Sequence, residues 1–171
     1  HLMGKGYWVW LIPLSSGYTS VGIVADEDVH PFREYATFES ALDWIKRHEP
    51  RLAAYLRGHQ PADFKRMKRF SYSSAQVFSS KRWACVGEAG VFTDPFYSPG
   101  SDFIAVGNTM VARMLALDRS GRLASKTVSG YERLYFLMYD IFLGYYRGAY
   151  PIFGVASVMT AKNIWDWCVY W

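Results

Sequence analysis

Residues 7–25, YWVWLIPLSSGYTSVGIVA, constrain this chain more than any other stretch. Two runs rich in aromatic and β-branched residues, 7–14 and 18–25, flank Ser15-Ser16-Gly17, a triplet with turn chemistry. The pattern predicts an antiparallel hairpin. A period of two sets Trp8, Trp10 and Ile12 on one face and Tyr7, Val9 and Leu11 on the other. Both faces are apolar, so the first strand is expected to be covered on both sides.

From Thr37 the period changes. TFESALDWIKRHEPRLAAYL predicts a helix with Thr37 as N-cap and a Phe38, Leu42, Ile45 stripe, ended or interrupted by Pro50. Residues 64–78 read as an extended return, residues 79–81 as a tight connection, and RWACVGEA, residues 82–89, as a short buried strand. Past Gly100 the pattern is helical, with Ile104, Gly107, Val111 and Met114 on one face and Leu115 close by. Further helices are expected over 125–146 and, after a break at Pro151, over 154–170. Strands, helix, strands and then helices point to an α+β fold or an incomplete α/β unit.

Composition excludes several classes. The chain has 171 residues, 51% hydrophobic and 20% charged, which makes it globular rather than disordered. Aromatic residues reach 18%, calling for a large aromatic core or an extensive partner surface. The net charge of +4 is scattered. Its densest basic run, FKRMKRF at residues 64–70, alternates between faces in strand geometry, so a solvated edge strand is expected and no nucleic-acid partner. Cys85 and Cys168 sit in apolar contexts and are expected to be reduced core residues, which suits a cytoplasmic setting. Arg147, Lys162 and Asp166 interrupt the most apolar region, so no transmembrane segment is expected. His1, His30, His48 and His59 lack metal-ligand spacing, and no metal is expected. The aromatic stretch 131–153 is expected to be core between helices, with docking on a partner as the other possibility.

The chemistry concentrates in residues 86–109, VGEAGVFTDPFYSPGSDFIAVGNT. The strand ending in Gly87-Glu88 brings a carboxylate to a sheet edge, where cofactors bind in open α/β sheets and where it can accept hydrogen bonds from ribityl or ribose hydroxyls. Asp94-Pro95 fixes the next loop, and Ser98-Pro99-Gly100 leads into a helix whose N-terminus carries free N–H groups and partial positive charge. That end suits a flavin, which gains negative charge on reduction, and Gly100 lets a flat ring approach the backbone. On these residues alone, a strand–loop–helix crossover without a ligand remains open.

GEAGVFTDPFYSPG resembles the second flavin motif of flavin-dependent halogenases and the wider aromatic-hydroxylase-like FAD monooxygenases. Gly87, Asp94, Pro95 and Gly100 match, with Glu88 in place of the usual Asp. WVWLIP, Trp8 to Pro13, is similar to the halogenases' W-x-W-x-I-P signature. The resemblance runs from about residue 7 to 117 and is less specific beyond.

It implies part of an FAD-binding monooxygenase/halogenase fold, divided into a substrate-side sheet plus helix at 1–81, a strand–loop–helix of the FAD domain at 82–120 and aromatic C-terminal helices at 121–171. It also implies FAD bound at Glu88, Asp94, Pro95, Gly100 and Ser101. Trp8, Trp10, Ile12, Pro13 and Tyr97 would border the substrate or tunnel, and a separate flavin reductase and a small aromatic substrate would be the partners. The G-x-G-x-x-G fingerprint and the family's catalytic lysine are expected in an N-terminal portion of the enzyme missing from this chain, which alone is expected to bind FAD poorly and to be inactive. Tyr97 stands where tryptophan-type halogenases have Glu, as in members acting on phenols or pyrroles. In the family, halide is held by backbone N–H groups at the positions of Pro99 and Gly100, and Pro99 has no N–H. That absence favours hydroxylation as the alternative to halogenation.

Overall fold

The computed structural model describes residues 1–170 and is a mixture of helices and small antiparallel sheets. It divides into two compact units, residues 1–68 with 147–171, and residues 69–146.

In the first unit, β1 (Leu2–Gly4), β2 (Tyr7–Pro13) and β3 (Thr19–Ala25) form an antiparallel sheet. The β2–β3 ladder pairs seven residues, from Tyr7↔Ala25 to Pro13↔Thr19. Gly17, at φ 84°, closes the hairpin, and Leu14 N–H donates to the Tyr18 carbonyl at 2.8 Å. Helix α1 (Phe38–His48) opens on a capping box in which Thr37 and Ser40 satisfy each other's backbone N–H groups. Pro50 is the first residue of the next helix, α2 (Pro50–Leu56), where its missing N–H costs nothing. Ala41, Trp44 and Ile45 are the buried face of α1, and Phe38 and Leu42 are only half-buried. The stripe is therefore turned from the one expected, because the indole of Trp44 fills the space against Tyr7 and Val9.

Coverage of β2 on both sides holds for half of its length. Tyr7, Trp8 and Val9 are buried, whereas Leu11 and Ile12 are 39% and 45% exposed. C-terminal residues cover the start of the strand: Gly6 N–H donates to the Tyr150 carbonyl at 2.8 Å, and Trp8 Nε1 donates to the Tyr150 hydroxyl at 3.2 Å. A 3-10 turn at Tyr150–Ile152 precedes α5 (Ala156–Tyr170), whose buried side carries Met159 and the Lys162–Asp166 ion pair. Cys168 is exposed rather than core. Residues 64–68 are exposed coil rather than an edge strand, held by Arg66 donating to the Ala36 carbonyl at 2.7 Å and by a Lys68–Glu27 ion pair. Charge pairs and one backbone contact take the place of a ladder there.

In the second unit the strands are short. β4 (Phe78–Ser79) and β5 (Trp83–Ala84) pair two residues each, and Tyr72↔Phe92 is an isolated bridge. The expected buried strand over 82–89 is thus reduced to a stub: Trp83 and Val86 are exposed, and Cys85 is half-buried. A two-residue ladder cannot cover both faces of an eight-residue apolar run. Helix α3 (Gly100–Arg119) buries Phe103, Gly107, Met110 and Met114, while Ile104 and Leu115 point outward, so its core face is rotated from the one expected. Helix α4 (Ser125–Tyr146) buries Val128, Tyr135, Tyr139, Phe142 and Tyr146. The aromatic stretch is therefore largely core. Tyr135 meets Phe78 and Phe103 edge-on at 5.5 and 5.6 Å. Among the described residues, no helix is long and apolar enough to cross a membrane.

Candidate functional site

The loop between β5 and α3 is built by side chains as much as by backbone. Gly87, at φ 63°, turns the chain out of the strand. The Tyr72 hydroxyl donates to the Glu88 carbonyl, and Ser74 Oγ donates to the Gly90 carbonyl at 2.6 Å. The Tyr72–Phe92 bridge closes with reciprocal N–H···O bonds of 2.9 Å, and Ser71 Oγ adds a third bond to the Phe92 carbonyl at 3.2 Å. Beneath this segment, one carboxylate oxygen of Glu132 accepts both Val77 N–H and Phe78 N–H, at 2.8 and 3.2 Å.

Asp94 is buried, and its Oδ1 accepts Phe96 N–H at 2.8 Å, the local bond by which an Asx side chain starts a turn. Ser98 N–H donates to the Pro95 carbonyl at 3.0 Å. The Phe96 carbonyl receives the buried Tyr146 hydroxyl at 2.7 Å. Helix α3 then begins at Gly100 with Pro99 as its N-cap residue and no side-chain cap. A methyl group on Gly100 would collide with the carboxylate of Glu88. The acid therefore reaches the start of the helix, where partial positive charge favours it, and a side chain on Gly100 would push it aside.

These elements enclose an open cavity of about 250 Å³ lined by Glu88, Phe92, Asp94, Pro95, Ser98, Pro99, Gly100, Ser101 and Ile104. The fold thus brings together Glu88, Asp94, Pro95, Pro99, Gly100 and Ser101 from the sequence expectation. Tyr97 is not among the lining residues; its ring lies 4.2 Å from that of Phe96. Three lining residues, Phe92, Ser98 and Ile104, were not singled out as site residues. Ile104 was assigned to the core face of α3 by its spacing, and only the rotation of that helix turns it to the cavity. Burial pushes the Tyr135 phenol above its ordinary pKa, with Cys85, Glu88 and Tyr72 adding to the effect. Among the described residues, no cluster of His, Cys, Asp or Glu could hold a metal ion.

The tryptophan strand belongs to the first unit. Trp8 is buried there, 5.5 Å from Trp10 between ring centroids. Trp10 lies flat across the strand pair because its partner is Gly22, where any side chain would enter the indole, and Trp10 Nε1 donates to Ser20 Oγ at 3.0 Å. Ile12 and Pro13 are exposed. Half of this signature is therefore core and half is open surface.

The chain is similar to curated flavin-dependent halogenases. It is 28% identical over 117 residues to a flavin-dependent halogenase of Dictyostelium discoideum, covering 67% of this chain and 19% of that protein. It is 31% identical over 105 residues to a 1H-pyrrole-2-carbonyl peptidyl-carrier-protein brominase of Pseudoalteromonas luteoviolacea, covering 60% and 25%. A flavin-dependent halogenase of Armillaria mellea is 27% identical over 158 residues, covering 79% and 31%. The matched parts make up between about a fifth and a third of these relatives' length. No family model matches the chain.

Proposed function

We propose, from the premise that this chain belongs to the flavin-dependent halogenase family, that it supplies the isoalloxazine-side part of an FAD site in a longer enzyme. The observation that carries this reading is the cavity at the start of α3. Glu88 offers a carboxylate acceptor for a ribityl or ribose hydroxyl. Gly100 and Ser101 offer a helix start free of a side-chain cap, and Phe92, Pro95, Pro99 and Ile104 give apolar walls for a flat ring. The buried Asp94 acts through the turn that it fixes, with its Oδ1 on Phe96 N–H. A volume of about 250 Å³ lies below the roughly 300–1,000 Å³ of sites that enclose a whole ligand. It suits one edge of a flavin and leaves the pyrophosphate end to other residues of the enzyme.

FAD, reduced by a separate flavin reductase, would supply the two-electron chemistry with O2. This chain's residues bind and orient it and keep water from one side. The substrate proposed is a small aromatic molecule of phenol or pyrrole type. Halogenation is the first reading, since the relatives carry halogenase or brominase names. Direct hydroxylation is the second. Pro99 has no N–H to offer a halide, and the Glu88 carboxylate beside Gly100 disfavours another anion there.

The test uses the full-length protein. Asp94→Ala removes the turn bond and should weaken FAD binding by roughly tenfold; unchanged flavin occupancy would sink the site assignment. Product mass with and without bromide or chloride separates the two reactions.

A further inference from the structure

The loop carries a strained pair that the flavin reading does not use. Tyr97 and Ser98 both adopt left-handed backbone, at φ 67° and 55°. A side chain is disfavoured there because Cβ crowds the following carbonyl. Two such residues in succession persist only where the surroundings over-determine them. The Asp94 and Pro95 bonds to Phe96 and Ser98 are local, within three residues. The bond from Tyr146 is different: it comes from 50 residues away, from the last turn of a 22-residue helix. Donor and acceptor residues are 7% and 2% exposed, so water cannot readily replace it. At the other end of the loop Tyr72 makes a comparable bond to the Glu88 carbonyl, but Tyr72 is 44% exposed.

We infer that Tyr146 is the positioning residue of this loop. Its hydroxyl, anchored on α4, holds the Phe96 carbonyl and keeps Asp94, Pro95, Pro99 and Gly100 at the cavity wall before any cofactor arrives. The clamp rests on the geometry; its purpose toward FAD rests on the reading given above. Without the bond the buried Phe96 carbonyl loses the Tyr146 hydroxyl, and the Tyr97–Ser98 pair relaxes toward ordinary backbone. Cofactor affinity then falls in proportion to the time that the loop spends in its binding geometry.

Tyr146→Phe keeps the ring and deletes the bond. In the flavin-free full-length protein, hydrogen exchange of the amides of residues 96–98, 100 and 101 should accelerate about tenfold. The FAD dissociation constant should rise by a similar factor. Val128→Ala, buried at the other end of α4, reports general loosening and should lower the melting temperature without singling out the loop. Unchanged exchange in Tyr146→Phe, or equal acceleration in Val128→Ala, overturns the clamp. Faster exchange with unchanged FAD affinity overturns its role toward the cofactor. A wild-type protein that retains no FAD while the exchange difference persists separates the two failures: the flavin reading falls, and with it the assignment of a cofactor loop.

Discussion

The two units solve the problem of holding a chain in place by different means. In the first, β2 and β3 pair seven residues, and the fully buried Trp44 rests on the face that the strand period dictates. Backbone repetition sets the geometry, and side chains fill it. In the second, two paired residues and one bridge are all the ladder there is. Hydroxyls and carboxylates take over: Tyr72, Ser74, Glu132 and Tyr146 each hold a main-chain group of the strand-and-loop segment. A ladder spreads its stabilisation over many equivalent bonds. A loop held by single side chains can adopt an irregular shape around a ligand, at the cost of depending on each of them.

That contrast is most easily broken by removing a core residue from the regular unit. Trp44 is fully buried, with Tyr7 edge-on at 4.8 Å and His48 tilted against it at 4.3 Å. Trp44→Ala should cost about 3–5 kcal/mol, read by denaturant unfolding. A loss below about 1 kcal/mol would mean that the ladder, not the core, carries the first unit.

Two glycines sharpen the comparison at a lower energy. Gly22→Ala drives a methyl into the indole of Trp10, a rigid neighbour whose displacement costs about 1–3 kcal/mol. Gly100→Ala meets only the carboxylate end of Glu88, a flexible side chain that can swing away. The first substitution should lower stability and spare the cavity. The second should leave the melting temperature nearly unchanged and reduce FAD retention in the full-length protein. Equal effects on stability would erase the distinction between a glycine kept for packing and one kept for approach.

The same difference explains what could be read from the sequence. Strand and helix periods, the Ser15-Ser16-Gly17 turn, the Thr37 cap and the Pro50 break are local signals, and the elements that they predict are there. Residues 82–89 misled because an apolar run does not state how long its partner is; β5 has two residues opposite it. Helix faces came out rotated in α1 and α3, where one large side chain, Trp44 or Phe103, draws the helix toward the core. The cavity was legible through Glu88, Asp94, Pro95 and Gly100, since their spacing forms a motif. Tyr146 was not, because a bond across 50 residues leaves no local pattern.

The smallest effect expected is a dependence on pH, and it belongs to the first unit. His30 Nε2 lies 2.9 Å from the Lys5 carbonyl, and the His30 and His48 rings meet edge-on at 4.9 Å beside Tyr7 and Trp44. Burial, followed by His30 and Arg47, holds the His48 pKa below its ordinary value, against the opposing pull of Glu34 and Glu49. The unfolded chain therefore takes up a proton on this residue near pH 6.5 while the folded chain resists. Stability should fall as pH drops through that value and level off once the folded imidazole also charges. His48→Gln should flatten the fall in melting temperature between pH 7.5 and 5.5. Carboxylates titrate lower, so a slope that survives the substitution unchanged in this window would place the proton on a residue other than His48.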